Sequence, residues 1–123
     1  MHMKRSDFEI EVCANSVESC LAAQRGGADR VELCMGIPEG GTTPSYGEIK
    51  MAREVLTKAR LHVIIRNRGG DFLYTDQELR RMATDIDLCR ELGVDGVVFG
   101  CLTAEGDIDR AANAFLMAHA KGM

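Results

Sequence analysis

Arg30-Val31-Glu32-Leu33-Cys34 alternates charged or thiol-bearing residues with aliphatic ones, and this alternation decides the fold. In an extended strand successive side chains point to opposite faces, so Val31 and Leu33 share one face while Arg30, Glu32 and Cys34 share the other. The pattern recurs in Phe8-Glu9-Ile10-Glu11-Val12-Cys13 and in Leu61-His62-Val63-Ile64-Ile65-Arg66, where His62 and Arg66 lie opposite Leu61, Val63 and Ile65. A fourth β-rich run is Gly96-Val97-Val98-Phe99-Gly100-Cys101-Leu102. Each run leads into a helical pattern, the βα alternation of a parallel sheet. Asn15-Ser16 cap the first helix, and Gly26-Gly27 end it. Ser45 with Glu48, and Thr75 with Glu78, have capping-box spacing, and a last helix runs from about Asp109 to Ala120.

Four βα units can form an open sheet with helices on both faces or half of an eight-stranded barrel. In the open sheet, strands covered on both faces read as continuous apolar runs. Here one face is polar and charged. Burying charges costs several kcal/mol each unless they are paired, so these residues suit a barrel interior near its mouth, where neighbouring strands supply partners. The expected fold is α/β, a parallel (βα)4 half of a TIM (β/α)8 barrel, in one domain over residues 1–123. Met1-His2-Met3-Lys4 holds two candidate start residues, and residues 1–3 are set aside from the fold.

The composition narrows the function. At 123 residues and 46% hydrophobic, the chain is one globular domain rather than a disordered one. A net charge of −4 without a Lys/Arg stripe argues against nucleic acid as a partner. No apolar run approaches a membrane span, and the N-terminus lacks a signal-peptide layout, so a cytoplasmic protein is expected. Five cysteines, an odd number without a C-x-x-C pair, point to reduced thiols. Cys20 and Cys89 fall on apolar helix stripes and read as core.

Three features carry chemistry. Glu11-Val12-Cys13 and Glu32-Leu33-Cys34 repeat one acid-x-thiol spacing, 21 residues apart, at the ends of consecutive strands. If the strands pair in register, Cys13 and Cys34 lie side by side at the C-terminal edge, where two thiolates suit Cu(I); equally, cysteines pack as small hydrophobes. Second, Arg66-Asn67-Arg68-Gly69-Gly70-Asp71 sets two guanidiniums and a carboxylate around a Gly-Gly turn, which fits a small anion. Alternatively, Arg66 neutralises Glu11 and Glu32 while Arg68 and Asp71 fix the loop. Third, Glu39-Gly40-Gly41-Thr42-Thr43-Pro44-Ser45 either turns N–H groups toward the same mouth or only starts a helix. His62 and His119 have no partners at ligand spacing and receive no role. Glu105-Gly106-Asp107-Ile108-Asp109 lacks the twelve-residue calcium pattern and reads as a solvated turn.

Glu11-Val12-Cys13, Gly26-Gly27-Ala28-Asp29-Arg30-Val31-Glu32-Leu33-Cys34, Gly40-Gly41-Thr42-Thr43-Pro44-Ser45, Arg68-Gly69-Gly70-Asp71-Phe72 and Gly96-Val97-Val98-Phe99-Gly100 together resemble the CutC family. The resemblance covers essentially the whole chain. It implies a cytoplasmic TIM-barrel protein of copper homeostasis, with copper held by cysteines matching Cys13 and Cys34. It also implies a chain about twice this long, and Arg-Pro-Arg-Gly-Gly-Asp where this sequence has Asn67, a change that would loosen the turn aiming Arg66 and Arg68. The function expected is therefore Cu(I) binding. The rivals are an enzyme acting on a small anionic substrate through Glu11, Glu32, Arg66, Arg68 and Asp71, or an inactive half-barrel. Open sheet edges favour a homo-oligomer.

Overall fold

In the computed structural model, which describes residues 2–123, four parallel strands pair in chain order and helices cover one face of the sheet. Met1, set aside above, lies outside the described residues, and Met3 is exposed. The elements are β1 (Glu11–Ala14), α1 (Val17–Arg25), β2 (Arg30–Leu33), α2 (Tyr46–Val55), β3 (Arg60–Ile64), α3 (Asp76–Glu91), β4 (Gly96–Val98) and α4 (Arg110–Ala120). A doubly wound sheet reverses its strand order at a switch point and carries helices on both faces. The consecutive order and the one-sided cover exclude that alternative. The chain is the (βα)4 half of a TIM-barrel-type fold.

The core forms between the outer sheet face and the helices. Val31, Leu33, Leu61 and Val63 are fully buried against Cys20 of α1, Ile49 and Ala52 of α2, Met82, Ile86 and Cys89 of α3, and Leu116 of α4. The helices start where the sequence places them. Ser16, Ser45, Thr75 and Asp109 each accept a hydrogen bond from the backbone N–H three residues on. Thr75 and Glu78 complete a capping box. Glu48 does not: its carboxylate accepts instead from the Val17 N–H at 3.2 Å, tying the start of α1 to α2.

The strands are shorter than the sequence runs. Pairing of β1 starts at Glu11 because β2 begins only at Arg30, after the turn at Gly26-Gly27. Phe8 and Ile10, on the apolar parity of that run, therefore fall before β1 and stay 51% and 42% exposed. At the other edge β4 stops at Val98. Arg66, the next residue β3 could offer after Ile65, turns away and gives its N–H to Thr43 Oγ1 at 2.9 Å. Cys101 is held by α4 instead, through Asn113, which accepts from its N–H and donates to its carbonyl.

Leu61 lies at the centre of this core with no exposed surface. Leu61→Ala is expected to lower the unfolding free energy by about 2–5 kcal/mol, read from denaturant unfolding followed by circular dichroism.

Candidate functional site

The uncovered sheet face stacks polar residues in layers set by the strand register. Glu11 pairs with Arg30, and Arg30 with Arg60. Cys13 pairs with Glu32, Glu32 with His62, and His62 with Gly96. Cys34, Ile64 and Val98 follow, and then Arg66. The acid-x-thiol repeat is thus not aligned across β1 and β2. The strands are offset by two residues, so Glu32 sits level with Cys13 and Cys34 stands one pleat further on. Because two residues is a whole strand period, every polar residue stays on the inner face. The offset does not separate the thiols: Cys13 Sγ and Cys34 Sγ are 3.3 Å apart, diagonal neighbours across the pair. Cys13 is exposed and Cys34 buried. Burial, reinforced by the bond to Cys13, pushes the Cys34 thiol up to about 12, and its Sγ lies 3.6 Å from the Ala14 carbonyl.

Of the two carboxylates only Glu11 is neutralised, and by a residue outside the predicted set. Arg30, not Arg66, pairs with Glu11, at 2.7 Å, and Glu9 bridges to Arg60. The Arg30 guanidinium holds Glu11 below the usual carboxylate range. Glu32 shifts the other way, raised first by burial and then by its hydrogen bond with Glu11. Two neighbouring carboxyls with opposite shifts titrate as a pair, Glu32 keeping its proton to higher pH than Glu11. His62, half-buried beside them, is lowered by burial and by Arg30, so it is neutral at pH 7. A Cβ on Gly96 would stand 2.6 Å from His62 Nε2; glycine is what lets the imidazole lie across β4. His62 received no role in the sequence reading. Its position on the polar parity of β3, shared with Arg66, was the available signal.

Arg66 stands above these layers and bonds to loops. Its Nη1 donates to the carbonyls of Glu39 at 2.7 Å and Gly41 at 2.9 Å, and its Nη2 to Gly70 at 3.0 Å. The Glu39–Ser45 loop therefore turns the carbonyls of Glu39 and Gly41 to the Arg66 guanidinium, and only its Thr43 N–H reaches back to the strand end, donating to the Arg66 carbonyl at 2.9 Å. The Gly40, Gly41 and Thr42 N–H groups are bonded to the carbonyls of Ile37, Gly36 and Met35. Arg68 and Asp71 lie outside the layers. Arg68 bridges to Glu78 and, at 3.1 Å, to Asp71, donates to the carbonyls of Gly69, Asp71 and Leu73, and stacks 4.8 Å from the Tyr74 ring centroid. Asn67 ties this turn to α3, its Nδ2 donating to the Glu78 carbonyl at 3.3 Å. Arg68 holds Glu78 well below the carboxylate range, at about 2. The structure thus brings Glu11, Glu32, Cys13 and Cys34 together with His62, sets Arg66 beyond them, and leaves Arg68 and Asp71 fixing the loop.

In carbon-detected NMR titrations Glu32 is expected to titrate at higher pH than Glu11. Glu11→Gln should bring Glu32 down toward the ordinary carboxylate value, because the neighbouring negative charge is gone. Coincident titrations, or a Glu32 unmoved by Glu11→Gln, would contradict the pair.

The CutC family profile matches residues 8–123. A CutC family protein of Bacteroides thetaiotaomicron is 68% identical over 116 residues, covering 94% of this chain and 47% of that protein. The human copper homeostasis protein cutC homolog is 51% identical over 111 residues, or 90% of this chain and 40% of its own. A crystal structure of CutC from Streptococcus agalactiae superposes with a TM-score of 0.88 at 40% identity, covering 94% of this chain and 56% of that one. The chain spans about half the length of the curated relatives it matches. With its family motifs lying along the strand ends and the loops that follow them, this chain belongs to the CutC family.

Proposed function

We propose that this chain serves copper homeostasis by holding Cu(I) between Cys13 and Cys34. The observation that carries the reading is the 3.3 Å approach of the two sulfurs. Among the described residues, no group of three or more His, Cys, Asp or Glu side chains converges as a metal site. Two soft thiolates without further ligands suit Cu(I), which accepts few, soft donors, better than zinc, which takes four. The sulfurs must part to admit the ion, and exposed Cys13 is the one free to move. The human relative's name points to copper as well.

A second reading is an enzyme acting on a small anionic substrate, favoured by the divergent carboxyls of Glu11 and Glu32. One of the pair would act as acid or base, with Arg66 facing the substrate at the strand ends and Arg68 and Asp71 holding the loop beside it. The chain itself we take to self-associate in the cytoplasm: β1 and β4 are both edge strands, and the polar face between them carries no helix.

An anaerobic Cu(I) titration against a competing chelator tests the first reading. One equivalent is expected to bind tightly, with the affinity falling by more than roughly a hundredfold in Cys13→Ser and in Cys34→Ser. Binding that survives both substitutions would reject the thiol pair and leave the carboxyl pair as the better guide. Light scattering at high concentration should report a dimer or larger assembly, and a sharp monomer mass would refute self-association.

A further inference from the structure

Arg66 is the one charged side chain that is buried among the described residues, 8% exposed, and it has no counter-charge. No described carboxylate makes a salt bridge to it. Carbonyl dipoles offset only part of the cost of burying a cation, which is normally met by an anion. A guanidinium has five N–H donors. Three are taken by Glu39, Gly41 and Gly70. The remaining two sit on Nη2 and on Nε, which is buried without a partner. Those two nitrogens are a pair that a carboxylate can bridge in a two-point bond.

Arg66 also lines a cavity of about 260 Å³ with Ile64, Phe72, Tyr74, Val98 and Gly100. The Phe72 ring lies 5.1 Å from the guanidinium carbon and covers one face of it. The other walls are mostly apolar, and the Tyr74 hydroxyl, raised by burial and held back in part by the Arg66 charge, stands beside the same guanidinium. Arg68, the neighbouring guanidinium, is neutralised by Glu78 and Asp71. The cavity therefore offers a single uncompensated positive charge beside apolar surface. A dianionic phosphate would remain short of counter-charge there, whereas a monoanion with an aliphatic tail matches both features.

We propose that the cavity beside Arg66 is a binding site for a small organic carboxylate, its carboxyl bridging Nε and Nη2 of Arg66 and its apolar part lying against Phe72 and Val98. The site is separate from the thiol pair and does not rest on the copper reading. Isovalerate is the probe, followed by NMR chemical-shift titration of the whole chain, with isovaleramide and inorganic phosphate as comparators. Saturable isovalerate binding is expected, with the amide and phosphate weaker by roughly tenfold or more. Arg66→Gln should remove the binding. Because that change also frees three loop carbonyls, Gly100→Val is the second variant. Gly100 stands on the cavity wall and a Cβ there meets nothing within 4 Å, so the valine side chain is added beside the cavity without a clash, leaves the Arg66 bonds intact and should weaken binding by roughly tenfold. The Cys13→Ser, Cys34→Ser double variant should bind isovalerate unchanged, whatever its copper affinity. No saturable isovalerate binding, equal binding of acid and amide, or binding unaltered in both cavity variants would overturn the site, and phosphate binding tighter than isovalerate would overturn the carboxylate class.

Discussion

The parallel register of β1, β2 and β3 is the constraint on which the rest of this structure depends. It sets Glu11 beside Arg30 and places Cys13, Glu32 and His62 in one layer. A slip of one residue would turn Arg30 and Glu32 into the helix-covered core and expose Val31 and Leu33. The core residues and the site residues are therefore two readings of the same ladder. Each aliphatic side chain that locks the register outward fixes a polar one inward.

Charge pairing on the inner face then sorts the chemistry. Arg30 neutralises Glu11 and holds it ionised, while Glu32, half-buried and next to that negative charge, keeps its proton to higher pH. His62 can lie across β4 only because Gly96 has no side chain. Further along, the thiols meet where no cation stands against them, and the buried Cys34 stays protonated at neutral pH. A metal that takes this pair must displace that proton, a cost soft thiolate bonding to Cu(I) is suited to meet.

Beyond the strand ends, two arginines of one short motif do different things. Arg68 sits among carboxylates and backbone carbonyls and stiffens the turn after β3, joining it to the first turn of α3 through Glu78. Arg66, two residues earlier and on strand parity, enters the interior and gathers the Glu39–Gly41 and Gly70 backbones around one guanidinium. The loops at this edge are thus tied together by a buried cation.

Much of this was legible in the sequence. Period-two alternation in Arg30–Cys34 and its companions identified the strands, their two faces and the one-sided helical cover, because a side chain's face is a local property of an extended backbone. Ser16, Ser45, Thr75 and Asp109 marked helix starts for the equally local reason that a side-chain oxygen can reach an N–H three residues on. What the sequence could not carry was anything set between segments distant along the chain. The two-residue offset of β1 against β2 follows from how the whole sheet coils, so the Glu-x-Cys repeat looked aligned when it is staggered. Which arginine meets which carboxylate follows from that offset, and so Arg30 rather than Arg66 faces Glu11. The role of His62 depended on a glycine on another strand, and the direction of the Glu39–Ser45 backbone on a guanidinium 20 or more residues away. The sequence by itself determined which residues face inward; only the tertiary structure decided their neighbours, because pairing distances across a sheet are set by register and coiling, not by spacing along one strand.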